Sequence, residues 1–391
     1  MRCLLFSDRL VYLESCVFGR HRFRARSPLL SAHRRERGGA QNVRGLWLKF
    51  QARYIRLALS GELEWRARSL LERLSPCRLC PRRCGVDRLG GEVGYCGVAR
   101  RALLARALLH RGEEPAISGT HGSGTVFLGG CNLRCLFCQN HQISRVVRSA
   151  DGSFVGCGPT GSRLVEVSGE QLADELLNLQ LEGCHNINFV SPSHVVPQVL
   201  EALANAARRG LRLPIVWNSN GYEEAEVLRA LDGVVDVYLP DLKYGGDGMA
   251  ARLSDARGYV GVSRAALMEM ARQVGPLLCD GDGLARRGLI VRHLVLPRGA
   301  AGSALCLRFI KDHLPPGVAV SLLAQYAPAA VAYDHPLLGR RLLPGEYARV
   351  VKSLEDLELY SGWTQDGEQS PDHYRPDFQA GEPFCLESEG A

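Results

Sequence analysis

The stretch that most constrains this chain is Gly129-Gly130-Cys131-Asn132-Leu133-Arg134-Cys135-Leu136-Phe137-Cys138-Gln139-Asn140, directly after the β-rich run Thr125-Val126-Phe127-Leu128. Its three thiols are spaced C-x3-C-x2-C. Three thiolates on one short loop can hold three corners of a four-iron, four-sulfur cluster and leave the fourth iron without a protein ligand. Zinc fits less well, because structural zinc takes four protein ligands and catalytic zinc takes three that include His or a carboxylate. Unligated, packed cysteines are the plainer alternative, but packing gives no reason for this spacing. The stretch reads as an enzyme's site with one open metal position.

A chain of 391 residues can bury a full-sized core, as one large domain with appendages or as two domains. Its 46% hydrophobic and 23% charged residues are ordinary for a soluble globular protein. No apolar run approaches the roughly 18 residues that span a bilayer, so no membrane association is expected. Of fourteen cysteines, seven lie between Cys77 and Cys138. In a long chain with no credible signal peptide, that clustering indicates metal binding in a reducing compartment, and the expected location is cytoplasmic.

Charge is unevenly placed. Residues 1–48 carry ten Arg and no Lys against Asp8, Glu14 and Glu36, so the whole formal charge of +7 sits there and the rest of the chain is neutral. A neutral body gives no case for a nucleic-acid partner. The Arg-rich start resembles a transit peptide or a nucleic-acid-binding arm in composition. It shows no amphipathic or apolar targeting core, so residues 1–50 are expected to be a disordered extension or translated upstream sequence, with a targeting role left open. At the other end, residues 361–391 turn acidic and rich in Gly, Ser and Pro, and are expected to be a poorly ordered tail in which Cys385 is incidental.

A second set of thiols, Cys77, Cys80, Cys84 and Cys96, is spaced C-x2-C-x3-C-x11-C among the turn residues Pro81, Gly85, Gly94 and Gly97. Four thiolates can close a tetrahedral zinc site or hold an auxiliary iron–sulfur cluster, and spacing does not separate these from unligated thiols.

From Thr125 onward strands alternate with helices, as expected of an α/β fold with a parallel sheet. The predicted strands are Thr125–Leu128, Asn186–Val190, Pro214–Trp217, Val234–Leu239, Gly288–Leu296 and Val318–Leu322. Helices are predicted over Gly169–Leu181, capped by Ser168 with Gln171 at the capping-box position, and over Val196–Arg209, Ser263–Val274 and Gly345–Leu359. Residues 141–167 read as a long insertion with mobile character. The strands run into polar groups at their C-terminal ends: the cysteine loop, Ser191-Pro192-Ser193-His194, Asn218-Ser219-Asn220, Asp241-Leu242-Lys243 and Gln325-Tyr326, while Arg292-His293 lie within the fifth run. In a barrel of parallel strands those ends share one face, where active sites are built.

C-x3-C-x-aromatic-C is accompanied here by Cys77-Arg78-Leu79-Cys80-Pro81-Arg82-Arg83-Cys84-Gly85, Gly112-Glu113-Glu114-Pro115, Cys138-Gln139-Asn140 and Asn186-Ile187-Asn188. In this order, from about Arg53 to about Tyr360, the chain resembles the radical S-adenosylmethionine (AdoMet) enzymes, and among them the family related to the pyruvate formate-lyase activating enzyme. The resemblance implies a partial (β/α)6 TIM-like barrel over residues 119–360, with a small helical and Cys-rich N-terminal subdomain over residues 51–118. It implies a [4Fe-4S] cluster on Cys131, Cys135 and Cys138, AdoMet as the second cofactor, and reductive cleavage of AdoMet to a 5′-deoxyadenosyl radical.

Residue by residue, Phe137 matches the aromatic beside the adenine, Asp241 and Lys243 the Asp-x-Lys near the ribose, and Arg292 an Arg that pairs with the methionine carboxylate. Asn218 and Asn220 are further cofactor candidates on the loop after the third strand. The family's Gly-Gly-Glu element falls at Ser191-Pro192-Ser193-His194, a departure that leaves Ser191 or backbone carbonyls to meet the AdoMet amino group. Flavodoxin or ferredoxin is the implied electron donor and a glycyl-radical protein the implied substrate. A radical enzyme modifying a small molecule or nucleotide is the alternative, and a non-catalytic zinc-binding interaction protein is the alternative of another class. No Walker or dinucleotide fingerprint is present, since Gly122-Ser123-Gly124 lacks the third Gly and the Lys-Ser/Thr.

Overall fold

The computed structural model describes residues 15–18, 21–25, 50–149, 152–157, 161–365, 375–380 and 383–384. Most of the Arg-rich start and most of the acidic tail, with Cys385, lie outside the described residues. In chain order the strands are β1 (Ser15–Phe18), β2 (His21–Ala25), β3 (Ala102–His110), β4 (Ser123–Leu128), β5 (Val146–Arg148), β6 (Phe154–Gly156) and β7 (Arg163–Val167). They continue with β8 (Ile187–Val190), β9 (Ile215–Asn218), β10 (Val237–Tyr238), β11 (Leu278–Cys279), β12 (Ala285–Leu294), β13 (Ala319–Leu323) and β14 (Gly362–Gln365).

The strands β4-β8-β9-β10-β12-β13-β14 run parallel in that order, with helices in the crossovers. The two end strands do not pair with each other. β4 takes antiparallel β3 on its free edge and β14 takes antiparallel β2, so the parallel run is an open half-barrel with both edges covered. All six predicted strands are present. β10 is the shortest because Pro240 has no N–H to donate, and the ladder resumes only as a single bridge between Asp241 and Arg292. Ser168 caps Gly169–Leu181 in the reciprocal way expected: its Oγ accepts from Gln171 N–H and the Gln171 side chain accepts from Ser168 N–H.

The pleat sorts residues between two cores. Phe189, Trp217, Tyr238, Val291 and Val320 point outward into the layer of helices. Val216, Val237, Leu239, Ile290, Ala319 and Trp363 point inward, and Ala116 and Ile117 of the short helix Pro115–Ser118 pack among them. The segment around Gly112-Glu113-Glu114-Pro115 thus plugs the half-barrel from inside.

Four expectations change. The tail does not lose order at Ser361, because β14 adds a seventh parallel strand whose Trp363 is 3% exposed inside the barrel. Further on, Phe378 meets Phe127 edge to face at 5.1 Å. One apolar residue in Gly-Trp-Thr-Gln shows no period, so only its partner strand reveals it. Within the basic extension, β1 and β2 form an antiparallel hairpin, and β2 pairs with β14. In the insertion, β5, β6 and β7 form an antiparallel ladder that continues the sheet beyond β3. Finally, residues 51–118 have no core of their own. Tyr54, Leu63, Leu70 and Leu74 share one apolar cluster with the helix Val196–Arg208, and β3 belongs to the main sheet.

A buried aromatic truncated to Ala costs about 3–5 kcal/mol. Trp363→Ala is therefore expected to lower the free energy of unfolding in urea by about that amount, whereas an unstructured tail would leave it unchanged.

Candidate functional site

The three thiols lie on the loop that leaves β4, and that loop is held from several sides. Gly129 N–H donates to Leu103 O at 2.7 Å and Gly130 N–H to Ile143 O at 2.9 Å. Beyond them the loop lies along the helix Asp247–Ser254, with Arg134 N–H on Ser254 O at 3.0 Å and Leu136 N–H on Leu253 O at 2.9 Å. Gly130 has φ +82° and approaches the Cys96 carbonyl so closely that a Cβ would collide with it. Behind it His194, fully buried, bonds Gly129 O through Nε2 at 2.9 Å, and burial holds its pKa down at about 4, so the ring is neutral near pH 7.

Hydrogen-bond donors are aimed at the sulfurs. Asn220 Nδ2 donates to Cys131 Sγ at 3.4 Å, Leu133 N–H to the same sulfur at 3.4 Å, and Ser254 Oγ to Cys135 Sγ at 3.0 Å. Burial and then the neighbouring Cys135 raise the Cys131 thiol, and the same two causes push Cys138 up to about 12. Thiols so placed release their protons when a metal takes them. Lys243 supplies the cation of this region, with Nζ 2.5 Å from Asp241 Oδ2. Burial works against its ammonium, but Asp241 and then Cys135 outweigh that and hold its pKa above the ordinary lysine value. Tyr259 fixes the pair from below: its hydroxyl donates to Asp241 O at 3.1 Å and accepts from Lys243 N–H at 2.9 Å.

Other predicted site residues take different duties. Asn220 spends its amide on the loop, donating to Asn132 Oδ1 at 2.7 Å as well as to Cys131, while its Oδ1 accepts from Tyr222 N–H at 3.0 Å. Both of its N–H groups are thus directed at the cysteine loop, where it supports a thiol. Arg292, the residue matched to the methionine carboxylate, meets carboxylates of this chain. Its Nε and Nη2 form a two-point pair with Glu114 at 2.7 and 2.6 Å, Nη2 also meets Glu113, and Nη1 reaches Asn218 Oδ1 at 3.4 Å. Burial opposes the guanidinium charge, yet Glu113 and Glu114 keep the Arg292 pKa well above its ordinary value.

His293 points away from the interior and braces Leu242 O and Ser303 Oγ. Ser191 sits at φ 52°, in the left-handed region, where the chain turns off β8. Phe137 is buried and faces Tyr326 at 6.0 Å between ring centres.

Glu113 and Glu114 were visible in the sequence only as words of a resemblance; nothing local shows that they reach Arg292, 178 residues on. Ser321 was missed as well. It is the register partner of Arg292, fully buried, and its Oγ has no hydrogen-bond partner.

The second set of cysteines is gathered beside the loop. Cys77, Cys80 and Cys96 are buried and Cys84 is exposed, and the four thiols lie near enough to act on one another electrostatically. Among the described residues no three His, Cys, Asp or Glu side chains already stand as a finished metal cage. Among the described residues, too, no helix is long and apolar enough to cross a membrane.

Comparison with known proteins defines the class. The model of the radical SAM superfamily matches residues 125–276, the stretch from the first predicted strand through the helix Tyr259–Val274. The uncharacterized protein MJ0674 of Methanocaldococcus jannaschii is 31% identical over 286 residues, 73% of this chain and 75% of that one. The chain belongs to the radical SAM superfamily.

Solved structures with some likeness include HydG, a maturase of the [FeFe]-hydrogenase (TM-score 0.41, 12% identity, 80% of this chain and 66% of that one). Methylornithine synthase follows at TM-score 0.38 and 12% identity, over 79% and 73% of the two chains. A radical SAM methyltransferase from Sphaerobacter thermophilus gives 0.38 and 12%, over 62% and 66%. The chain spans just under two thirds of the methyltransferase and of HydG.

Membership implies a [4Fe-4S] cluster and AdoMet, and the residues fit them. Cys131, Cys135 and Cys138 present sulfurs with N–H and O–H donors aimed at two of them, as iron-bound thiolates favour. The orphaned Ser321 hydroxyl, one strand from Arg292, is the kind of polar group that a bound cofactor satisfies.

Removing one partner of a buried ion pair costs about 3–5 kcal/mol. Glu114→Ala is expected to destabilise by that amount in urea, even though Glu114 touches no cysteine. Arg292 holds the Glu113 carboxyl below its ordinary pKa against the opposing effect of burial. Its stabilisation is therefore full above about pH 4.3, the unfolded value, and is lost as pH falls through the lower folded value. The stability difference between the native chain and Glu113→Gln should shrink over that acid window; a constant difference would remove Glu113 as an ionised partner.

Proposed function

We propose that this chain is a radical AdoMet enzyme of the kind related to the pyruvate formate-lyase activating enzyme, and that it activates a glycyl-radical enzyme. Cys131, Cys135 and Cys138 would hold the cluster, leaving one iron open to AdoMet. When bound, the reduced cluster supplies one electron that splits AdoMet into methionine and a 5′-deoxyadenosyl radical, which takes a hydrogen atom from a backbone glycine of the partner. Flavodoxin or ferredoxin would deliver the electron.

The observation that carries this reading is the Asp241–Lys243 pair beside Cys135 and Cys138. Its Asp-x-Lys spacing is that of activating enzymes. In this position the Asp241 carboxylate would accept from ribose hydroxyls, while the Lys243 ammonium balances negative charge gathered on the thiolates. Phe137 and Tyr326 would give the adenine an apolar wall, Ser321 a polar contact, and Ser191 or nearby carbonyls would meet the AdoMet amino group. Arg292, besides its pair with Glu113 and Glu114, would meet the methionine carboxylate.

Anaerobically reconstituted protein, given dithionite and AdoMet, is expected to form 5′-deoxyadenosine. Cys135→Ala should abolish it, and Lys243→Ala should reduce it by on the order of 10–100-fold, as loss of groups supporting a metal site does. A non-catalytic zinc protein would form none. With a glycyl-radical enzyme from the same source added, electron paramagnetic resonance should show a glycine-centred radical. Robust 5′-deoxyadenosine formation without that signal would transfer the proposal to a small-molecule or nucleotide substrate.

A further inference from the structure

Arg88 is a buried cation without a counter-charge among the described residues. It is 1% exposed, and its guanidinium donates to two carbonyls, Ala99 O at 3.0 Å from Nε and His194 O at 2.8 Å from Nη1. Nη2 has no hydrogen-bond partner, and no carboxylate pairs with Arg88 among the described residues. Guanidinium cannot shed its proton to escape this, and a buried charge left unpaired is costly. The remaining neighbour of Nη1 is a sulfur, Cys77 Sγ at 3.9 Å.

That sulfur belongs to the set Cys77, Cys80, Cys84 and Cys96, whose surroundings are shaped around the thiols. The backbone amides of Arg82 and Val98, each two residues after a cysteine, act on the Cys80 and Cys96 sulfurs. Gly85 N–H bonds Cys77 O at 3.0 Å and Arg83 N–H bonds Cys80 O at 3.0 Å, so the two short loops fold back on themselves. Gly94 leaves the space taken by Cys84, since a Cβ there would lie 2.5 Å from Cys84 Sγ. Neutral thiols offer Arg88 only a weak acceptor and no counter-charge. Four thiolates on a divalent ion, or on an oxidised four-iron cluster, carry a net charge of about −2, which matches a buried cation.

We infer that Cys77, Cys80, Cys84 and Cys96 form a second, closed tetrathiolate metal centre, with Arg88 as its internal counter-ion. Closed coordination makes it structural, and its contacts show what it steadies. Arg82, between two of the ligands, donates from Nε to Asn132 O at 2.7 Å, and Arg134 of the cluster loop donates to Tyr95 O, next to Cys96. Both guanidinium groups lie over the Tyr95 ring, at 3.7 and 4.1 Å. Arg88 itself continues through His194 to Gly129, two residues before Cys131. The centre therefore holds the loop that carries the catalytic thiols, and this role is independent of what the radical attacks.

The test is metal analysis of full-length protein, with folding followed by circular dichroism. Cys131→Ala/Cys135→Ala/Cys138→Ala, which cannot carry the main cluster, is expected to retain about one zinc or about four irons with sulfide, and the two counts tell the occupants apart. A folded triple variant holding neither overturns the inference while leaving the radical reading untouched. Adding Cys80→Ser to it should remove the remaining metal; retention would also overturn the inference. Arg88→Met should speed metal release to a chelator by on the order of tenfold or more, and an unchanged rate would reject the counter-ion role.

Discussion

A guanidinium inside a half-barrel sets the terms for everything around it. Arg292 sits on β12 at the level where the strands end, and its charge is met by Glu113 and Glu114, which come from a segment preceding the first parallel strand. Buried pairs of this kind are poor sources of net stability but are severe about geometry, because either partner alone is worse than both. Meeting Arg292 draws Gly112–Ser118 into the interior, where Ala116 and Ile117 complete the inner apolar layer and Asn188 donates to Glu113 at 2.8 Å. Electrostatic need and apolar packing therefore fill the barrel with the same segment, and its mouth is left to the cysteine loop, Asp241 and Lys243.

The cysteine loop has no regular structure, so its shape is borrowed from its neighbours. Backbone N–H groups of Arg134 and Leu136 use carbonyls at the end of the helix Asp247–Ser254, Asn220 reaches across from the turn after β9, and the four-cysteine segment grips it through Arg82 and Tyr95. Gly221, at φ +78°, brings that turn against the Asp241 carbonyl more closely than any Cβ would allow. A site positioned from three directions keeps thiols and cation in fixed relation, which radical chemistry requires if the reactive fragment is to meet only its intended partner.

Much of this was legible in the chain. Six parallel strands, the Ser168 cap and the convergence of polar strand ends all followed from period and spacing, since these are local signals. Asp241 and Lys243, matched to the family's Asp-x-Lys, pair with each other. The rest was hidden for identifiable reasons. β14 has one apolar residue and exists because β13 offers it a ladder, while the partners that Asn220 and Arg292 meet inside the chain were not visible because a polar residue's sequence position does not say which polar group it will meet. Glu113 and Arg292 lie 179 residues apart, and no local pattern couples them.

By itself, the sequence determined the chemistry available: three thiols in one short loop, four more nearby, and a strand–helix alternation that must bring strand ends to one face. Tertiary structure alone decided how those groups are committed. It gave Arg292 to two carboxylates, Asn220 to a sulfur, and Arg88 to a buried place beside Cys77 with no carboxylate partner among the described residues. The reason is physical: spacing along a chain is set by covalent geometry, whereas the partner of a buried charge or amide is set by what else has been removed from water beside it.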